Sequence, residues 1–232
     1  MKQIKVLIDK HCRDKQIDLH QGLNELLDYL IEFFDYSAYL SAHGLEHHYI
    51  QMKEKSEPLF MVCLDWLEKV TTAMGKGKWL DYFGELYESE YQSKGKASST
   101  GQFFTPDALC DLMSAITIDK DSESGKISDC ACGSGRTLLA HFAKVNDKKG
   151  YYIAEDIDVV SVKMCALNMM IHGMRGRVIQ HDTLRDPNTF DFGFEVNEVR
   201  YPFPTPYYSL RRISKPKQEQ PEKQNIQKTL FD

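Results

Sequence analysis

Apolar side chains recur at helical spacing between Ile17 and Phe34, at Leu19, Leu23, Leu26, Leu27, Leu30, Ile31 and Phe34. A second stretch of the same kind runs from Leu59 to Met74. Such stripes predict helices packed on a common core, and the first hundred residues read as helical. Between Tyr91 and Gly101 the chain turns small and polar (Gln-Ser-Lys-Gly-Lys-Ala-Ser-Ser-Thr), the composition of a flexible link. This predicts a helical unit over 1–95 and a second unit over 96–212.

The second unit has a different rhythm. A helix is predicted over Pro106 to Ile116, with Thr105 as N-cap and Pro106 at the first helical position. Lys126 to Ala131 reads as a strand that ends in the turn Gly133-Ser134-Gly135, followed by a helix from Arg136 to about Lys144. Tyr151 to Ala154, Arg177 to Gln180 and Phe190 to Val196 are further strand candidates, and Val159 to His172 is a helix stopped by Gly173. Strands alternating with helices predict an α/β unit with a parallel sheet. Pro202, Pro204 and Pro206 disfavour regular structure beyond it, and the Lys-, Arg- and Gln-rich residues from Arg211 onward, with 213–232 as the separate tail, have the composition of disorder.

Composition narrows the function. With 232 residues and 42% hydrophobic side chains the chain can bury a sizeable core. No apolar run nears the roughly 20 residues needed to span a bilayer, and the amino terminus has no signal-like stretch, so no membrane partner and a cytoplasmic location are expected. The six cysteines form no Cys-x-x-Cys pair, and His47 and His48 are adjacent on a helix and face different ways, so no metal site is expected. A net charge of −5 argues against a uniformly DNA-coating surface and leaves room for a local basic patch.

Chemistry concentrates at the glycine turn. Gly133, Ser134 and Gly135, between a strand and a helix, let backbone N–H groups face a polar ligand without side-chain obstruction. The third glycine of a dinucleotide fingerprint is replaced by Leu138, which disfavours NAD. Asp156, with Glu155 beside it, lies about 20 residues beyond the turn, where an acid can accept ribose hydroxyls. Asp182, after the third strand, is placed to accept from an adenine amino group.

Five motifs share an order and spacing: Asp81-Tyr-Phe-Gly-Glu-Leu-Tyr-Glu; Gly101-Gln-Phe-Phe-Thr-Pro; Asp129-Cys-Ala-Cys-Gly-Ser-Gly; Glu155-Asp-Ile-Asp with Asn168-Met-Met-Ile-His-Gly; and His181-Asp-Thr-Leu. Together they resemble the N6-adenine DNA methyltransferases that serve as modification subunits of type I restriction systems. The resemblance covers about 81–191. It implies a Rossmann-like S-adenosylmethionine-dependent methyltransferase fold, with S-adenosylmethionine as cofactor and DNA as a partner. Under it Phe104, Thr105 and Pro106 cover the methionine end and the loop of Asp129, Ala131, Gly133, Ser134 and Gly135 cradles the cofactor. Glu155 and Asp156 belong to the ribose side, Ile157 packs on the adenine face and Asp182 holds its amino group.

The chain departs from the family's pattern in one place. The family ends its fourth strand in Asn-Pro-Pro-Phe or Asn-Pro-Pro-Tyr, whose acceptors hold the target amino group of a flipped adenine. Here no Asn-Pro-Pro exists; the catalytic residue stays unassigned, with Asn197 as the candidate in that stretch. The resemblance also predicts a sheet truncated after four strands in the order 3-2-1-4. Its exposed edge would have to be covered by the amino-terminal helices, the Pro-rich segment or a second chain, the last being a specificity or modification partner subunit or a homodimer. Gln227-Lys-Thr-Leu-Phe231 is similar to the short peptides that dock on sliding clamps. Two functional readings follow: an adenine methyltransferase whose catalytic loop comes from a partner or from an unrecognised substitute, or a catalytically degenerate methyltransferase fold used as a DNA-associated scaffold.

Overall fold

The computed structural model describes residues 2–35, 44–91, 104–118, 125–145, 150–184, 190–198 and 209–214. The polar link, the proline-rich run 201–208 and the clamp-like peptide lie outside the described residues.

Among the described residues six helices precede the sheet: α1 (Lys2–Lys15), α2 (Leu19–Phe33), α3 (Gly44–Lys55), α4 (Glu57–Gly75), α5 (Tyr82–Tyr91) and α6 (Asp107–Thr117). The periodic stripe of α2 buries Leu23, Leu26, Leu27, Leu30 and Ile31. Its start is set by a capping box, in which Asp18 accepts from the Gln21 amide and Gln21 accepts in return from the Asp18 amide. The N-cap of α6 is Pro106, one residue later than the sequence predicts. Pro106 keeps an extended backbone (ψ 142°), and its carbonyl accepts from Leu109 and Cys110, so Asp107 becomes the first helical residue.

The sheet unit runs β1 (Lys126–Asp129), α7 (Arg136–Lys144), β2 (Tyr151–Asp156), α8 (Val159–Ile171), β3 (Arg175–Gln180), β4 (Phe192–Val196) and β5 (Leu210–Ser214). Helix α8 is buried around its whole circumference, with every residue from Val160 to Ile171 inaccessible and most of them apolar. It packs on β2, β3 and β4 and is covered by α2 and α5. The one long charged side chain in it, Lys163, reaches Asp28 and Asn24 of α2, each at 2.7 Å. One apolar core therefore runs without a break from Ile4 in α1 to Leu210 in β5, across the expected boundary. The Leu210 amide also donates to Phe34 O at the end of α2.

The strand order differs from the expected 3-2-1-4. It is β1-β2-β3-β4-β5, with β1, β2 and β3 parallel and both β4 and β5 antiparallel to their neighbours. The reason lies in the connection over residues 181–191. A parallel return to the far side of β1 needs a crossover of about a dozen residues or more, usually with a helix. At 11 residues this link is at that lower limit, and β4 instead lies antiparallel beside β3, with the Asp191 amide donating to Gln180 O. Strand β5 corrects the reading of a disordered tail from Arg211, since Leu210 to Ser214 close the sheet. Its exposed Arg211 and Arg212 look like tail composition and equally suit a charged edge strand.

Two features at the opposite edge follow. Among the described residues β1 pairs only with β2. Nearby, α6 turns its small residues Cys110 and Ser114 inward against α7 and leaves Leu109, Leu112, Met113 and Ile116 exposed, the last at 74%.

Candidate functional site

The carboxyl ends of β1, β2 and β3 lie at one edge of the sheet, where ligands of open α/β sheets bind. Each delivers an acidic or polar residue there: Asp129, Asp156, and beyond β3 Asp182. Between β1 and α7 the chain makes the predicted glycine turn. Gly133 (φ 53°) and Gly135 (φ 94°) both adopt left-handed backbone, and Gly135 is the N-cap of α7. A Cβ at Gly133 would stand 3.0 Å from the Phe104 ring, and one at Gly135 would stand 2.9 Å from Cys165 Sγ. Glycine is needed at both positions, for conformation and for space.

The turn is held from several sides. Cys132 N donates to Glu155 O at 2.9 Å, and Ala131 N donates to Asp129 Oδ1 at 3.1 Å. The other Asp129 oxygen accepts from the Thr137 hydroxyl. Asp156 Oδ2 accepts from Gly133 N at 2.8 Å, and its Oδ1 accepts from Asp158 N at 2.9 Å. Asp158 in turn caps α8 through Ser161 N. A carboxylate offers about four acceptor positions, so Asp156 keeps two for a ligand after these bonds. Ile157, next in the chain, is a large apolar side chain left 66% exposed at the same strand end. Asp182 accepts from Leu184 N at 3.2 Å. Glu155 turns aside, with Oε2 3.5 Å from His181 Nδ1.

Phe104, Thr105, Ala131, Gly133 and Ser134 line one cleft with Arg136. Pro106 adjoins it as the first cap of α6. The Cys132 thiol is held protonated, by a hydrogen bond with Cys165 and then by burial. It is a core thiol rather than a ligand. Among the described residues no cluster of His, Cys, Asp or Glu could hold a metal ion.

Asn197 stands apart from this group. Because β4 is antiparallel, its last residue Val196 pairs with Gly176 near the start of β3, at the end of the sheet away from the turn. The Asn197 amide donates to Met170 O and Met174 O, and its oxygen accepts from Ser209 N. It ties the end of α8 to β5 and does not face the glycine turn.

A further set of residues is not apparent from spacing alone. Asp81, 2% exposed just before α5, accepts from Ser134 Oγ at 2.5 Å and Arg136 Nε at 2.6 Å on one oxygen. Its other oxygen accepts from Asn168 Nδ2 at 2.7 Å and Gly84 N at 2.9 Å. Arg136 continues outward to Glu88 at 2.7 Å and to Thr105 O at 3.3 Å, and lies under the Phe104 ring. Burial opposes its charge, but Glu88 and Asp81 outweigh that and raise its pKa. Of these residues only Arg136 lies outside the motifs quoted above; the contacts of Asp81 with Ser134, Arg136 and Asn168, across 53 to 87 residues of chain, could be read only from the fold.

Comparison with known proteins sets this geometry in a family. The profile described as N-6 DNA Methylase matches residues 78–229. The chain is 34% identical over 115 residues to the type I restriction enzyme MpnII methylase subunit of Mycoplasma pneumoniae, covering 45% of this chain and 21% of that protein. It is 32% identical over 135 residues to the type I restriction enzyme EcoEI methylase subunit of Escherichia coli, covering 52% of this chain and 27% of that one. A crystal structure of a type I restriction-modification methyltransferase subunit from Streptococcus thermophilus aligns with 81% of this chain and 42% of its own at a TM-score of 0.38 and 23% identity. The chain thus spans only about a quarter of the length of these two curated relatives. Since the family profile covers more than half of the chain and includes the glycine turn, the three strand-end acids and the buried Asp81, the protein belongs to the N-6 DNA methylase family.

Proposed function

We infer that this chain is an S-adenosylmethionine-binding module of a DNA adenine N6-methyltransferase, and that methyl transfer requires acceptor groups that these residues do not supply. The observation that carries the reading is the strand-end arrangement: a glycine turn bonded to an acid that keeps two acceptor positions, beside an exposed isoleucine. A nucleoside needs those three things, which are a close backbone approach, a hydroxyl acceptor and an apolar face. Asp156 would accept the ribose hydroxyls, with Glu155 behind it. Ile157 would cover one adenine face and Asp182 would accept from the adenine amino group. Asp129, Ala131, Gly133, Ser134 and Gly135 would surround the methionine portion, under Phe104, Thr105 and Pro106. The cofactor, when bound, supplies an electrophilic methyl group on a sulfonium.

The chain's own residues orient that group and do not complete the transfer. The sequence has no Asn-Pro-Pro, and Asn197 spends its amide on backbone groups at the far end of the sheet. The relatives are named as methylase subunits of type I restriction enzymes. DNA as substrate and a specificity or modification subunit, or a second copy of the chain, as partner are proposed here on that basis. Docking of Gln227–Phe231 on a sliding clamp remains a separate proposal resting on sequence alone. Among the described residues no helix is long and apolar enough to cross a membrane.

Titration calorimetry with S-adenosylmethionine tests the reading. Binding by the full chain, weakened in Asp156→Asn, together with no transfer of labelled methyl to DNA by the chain alone, is the expected result. Absence of binding would leave the second reading, a degenerate methyltransferase fold acting as a scaffold, which the engagement of Asn197 favours.

A further inference from the structure

We propose that Asp81 is a positioning residue of the cofactor turn, through which the helical segment at α5 sets the shape of the loop between β1 and α7. The proposal rests on the cofactor reading for its functional meaning. Its structural content stands on the contacts alone.

Asp81 is a buried carboxylate with four donors, and those donors come from three separate parts of the chain. Gly84 N belongs to α5, Ser134 Oγ and Arg136 Nε to the loop and the start of α7, and Asn168 Nδ2 to α8. A buried charge is retained only when its pairing is nearly complete, and this one is fully engaged. Two neighbours show that the arrangement is specific. A Cβ at Gly84 would lie 1.8 Å from Asp81 Oδ2 and 2.8 Å from Ser134 Oγ, so the carboxylate and the loop hydroxyl fill the space above a bare glycine. Asn168 points its Nδ2 at two acceptors, Asp81 Oδ1 and Ser134 O, which fixes the amide's orientation. Its Oδ1 is then left buried without a hydrogen-bond partner. Tolerating that loss is understandable if the donor pair to Asp81 and to the loop carbonyl is what the position supplies.

The consequence for the loop is direct. Ser134 is gripped on both sides, its hydroxyl by Asp81 and its carbonyl by Asn168, between the two left-handed glycines that have no side chains to restrain them. Arg136, whose guanidinium Asp81 and Glu88 hold, donates to Thr105 O and carries the Phe104 ring that covers Gly133. Floor and cover of the cleft therefore share one anchor, and that anchor lies outside the sheet unit. Asp81 touches no reacting atom in this scheme. It acts through Ser134 and Arg136.

The test compares Asp81→Asn with Val62→Ala, a cavity substitution at a fully buried position of α4 whose apolar side chain has no group to hydrogen-bond with any of these residues. Both variants are made in the full chain. Hydrogen exchange of the amides from Ala131 to Arg136 is measured without cofactor, and S-adenosylmethionine affinity is measured by calorimetry. Asp81→Asn is expected to speed loop exchange at least tenfold and weaken binding at least fivefold, whereas Val62→Ala lowers the melting temperature and leaves both values within twofold. Should Asp81→Asn not fold, Ser134→Ala removes one of the four bonds and is read in the same way. Loop exchange within twofold of the parent in the Asp81 or Ser134 variant overturns the proposal. So does a matching acceleration in Val62→Ala, which would make the effect one of global stability. If the parent chain binds no S-adenosylmethionine but loop exchange still rises only in the Asp81 variant, the positioning role stands and the cofactor reading falls.

Discussion

Asp156 Oδ2 lies 2.8 Å from the amide nitrogen of Gly133, so the acid at the end of β2 and the turn at the end of β1 are a single hydrogen-bonded unit. The same carboxylate receives Asp158 N, at the start of the turn into α8. The acid proposed to meet the cofactor is therefore also part of the loop's framework.

This double use separates two substitutions at position 156. Asp156→Asn keeps one oxygen acceptor but replaces the other with a donor, and Asp156→Ala removes both. Each hydrogen bond to a charged group contributes about 1.5 to 3 kcal/mol. Asp156→Asn is expected to weaken S-adenosylmethionine binding by about 1 to 3 kcal/mol with a small change in melting temperature, and Asp156→Ala to lower both clearly. Calorimetric titration beside thermal melts reads the two effects. Equal affinity in the parent and both variants would remove Asp156 from the site.

The glycines of the chain fall into two mechanical classes. Gly135→Ala forces a side chain into left-handed backbone against Cys165 Sγ and is expected to cost about 1 to 3 kcal/mol. Gly75→Ala, at the end of α4 with nothing within 4 Å of the new methyl, is expected to be neutral or to add up to about 1 kcal/mol. Urea denaturation of the pair decides it, and equal effects would mean that the turn geometry at Gly135 is wrong.

Stability should fall in mild acid. Burial holds the pKa of His172 below its ordinary value; its Nδ1–H donates to Asn168 O at 2.7 Å and its Nε2 accepts from Leu80 N at 3.3 Å. That pair of bonds requires the neutral ring. The unfolded chain binds a proton near pH 6.5 and the folded chain resists it, so the unfolded state holds more protons below that pH and stability drops as pH falls. His141, also lowered by burial, adds in the same direction. The expected loss is at most about 1.4 kcal/mol per pH unit for each fully shifted histidine. Melts between pH 7.5 and 5 should show it, and His172→Gln should flatten the profile; an unchanged slope would place the acid sensitivity elsewhere.

Substitutions on the two sides of the sheet unit should differ sharply. Phe194 of β4 is fully buried in the apolar core, and Phe194→Ala is expected to cost about 3 to 5 kcal/mol. Ile116→Glu, on the exposed stripe of α6, is expected to stay within about 0.5 kcal/mol. A large loss for Ile116→Glu in chemical denaturation would show that the stripe is covered in solution.

Much of this architecture is visible in local pattern. The stripe of α2, the helix Arg136–Lys144 and the stop of α8 at Gly173 need only short-range periodicity and caps, which neighbouring residues along the chain decide. So does the placement of Gly133, Gly135 and Asp156, because a strand, turn and helix bring residues some 20 positions apart to one edge. What sequence pattern misread depends on distant choices. Strand β5 has the basic composition of a tail, and only its pairing with β4 and the Phe34 carbonyl gives it an edge to join.

By itself the sequence determined the helices and the first four strands, the glycine turn and the acids at the strand ends, since each is set by local backbone preference and spacing. Tertiary structure alone decided the side of the sheet on which β4 lies, the removal of Asn197 from the site, and the meeting of Asp81 with Ser134, Arg136 and Asn168. Strand order follows from what a short connection can span, and a buried carboxylate collects its donors from whichever elements the core packs around it.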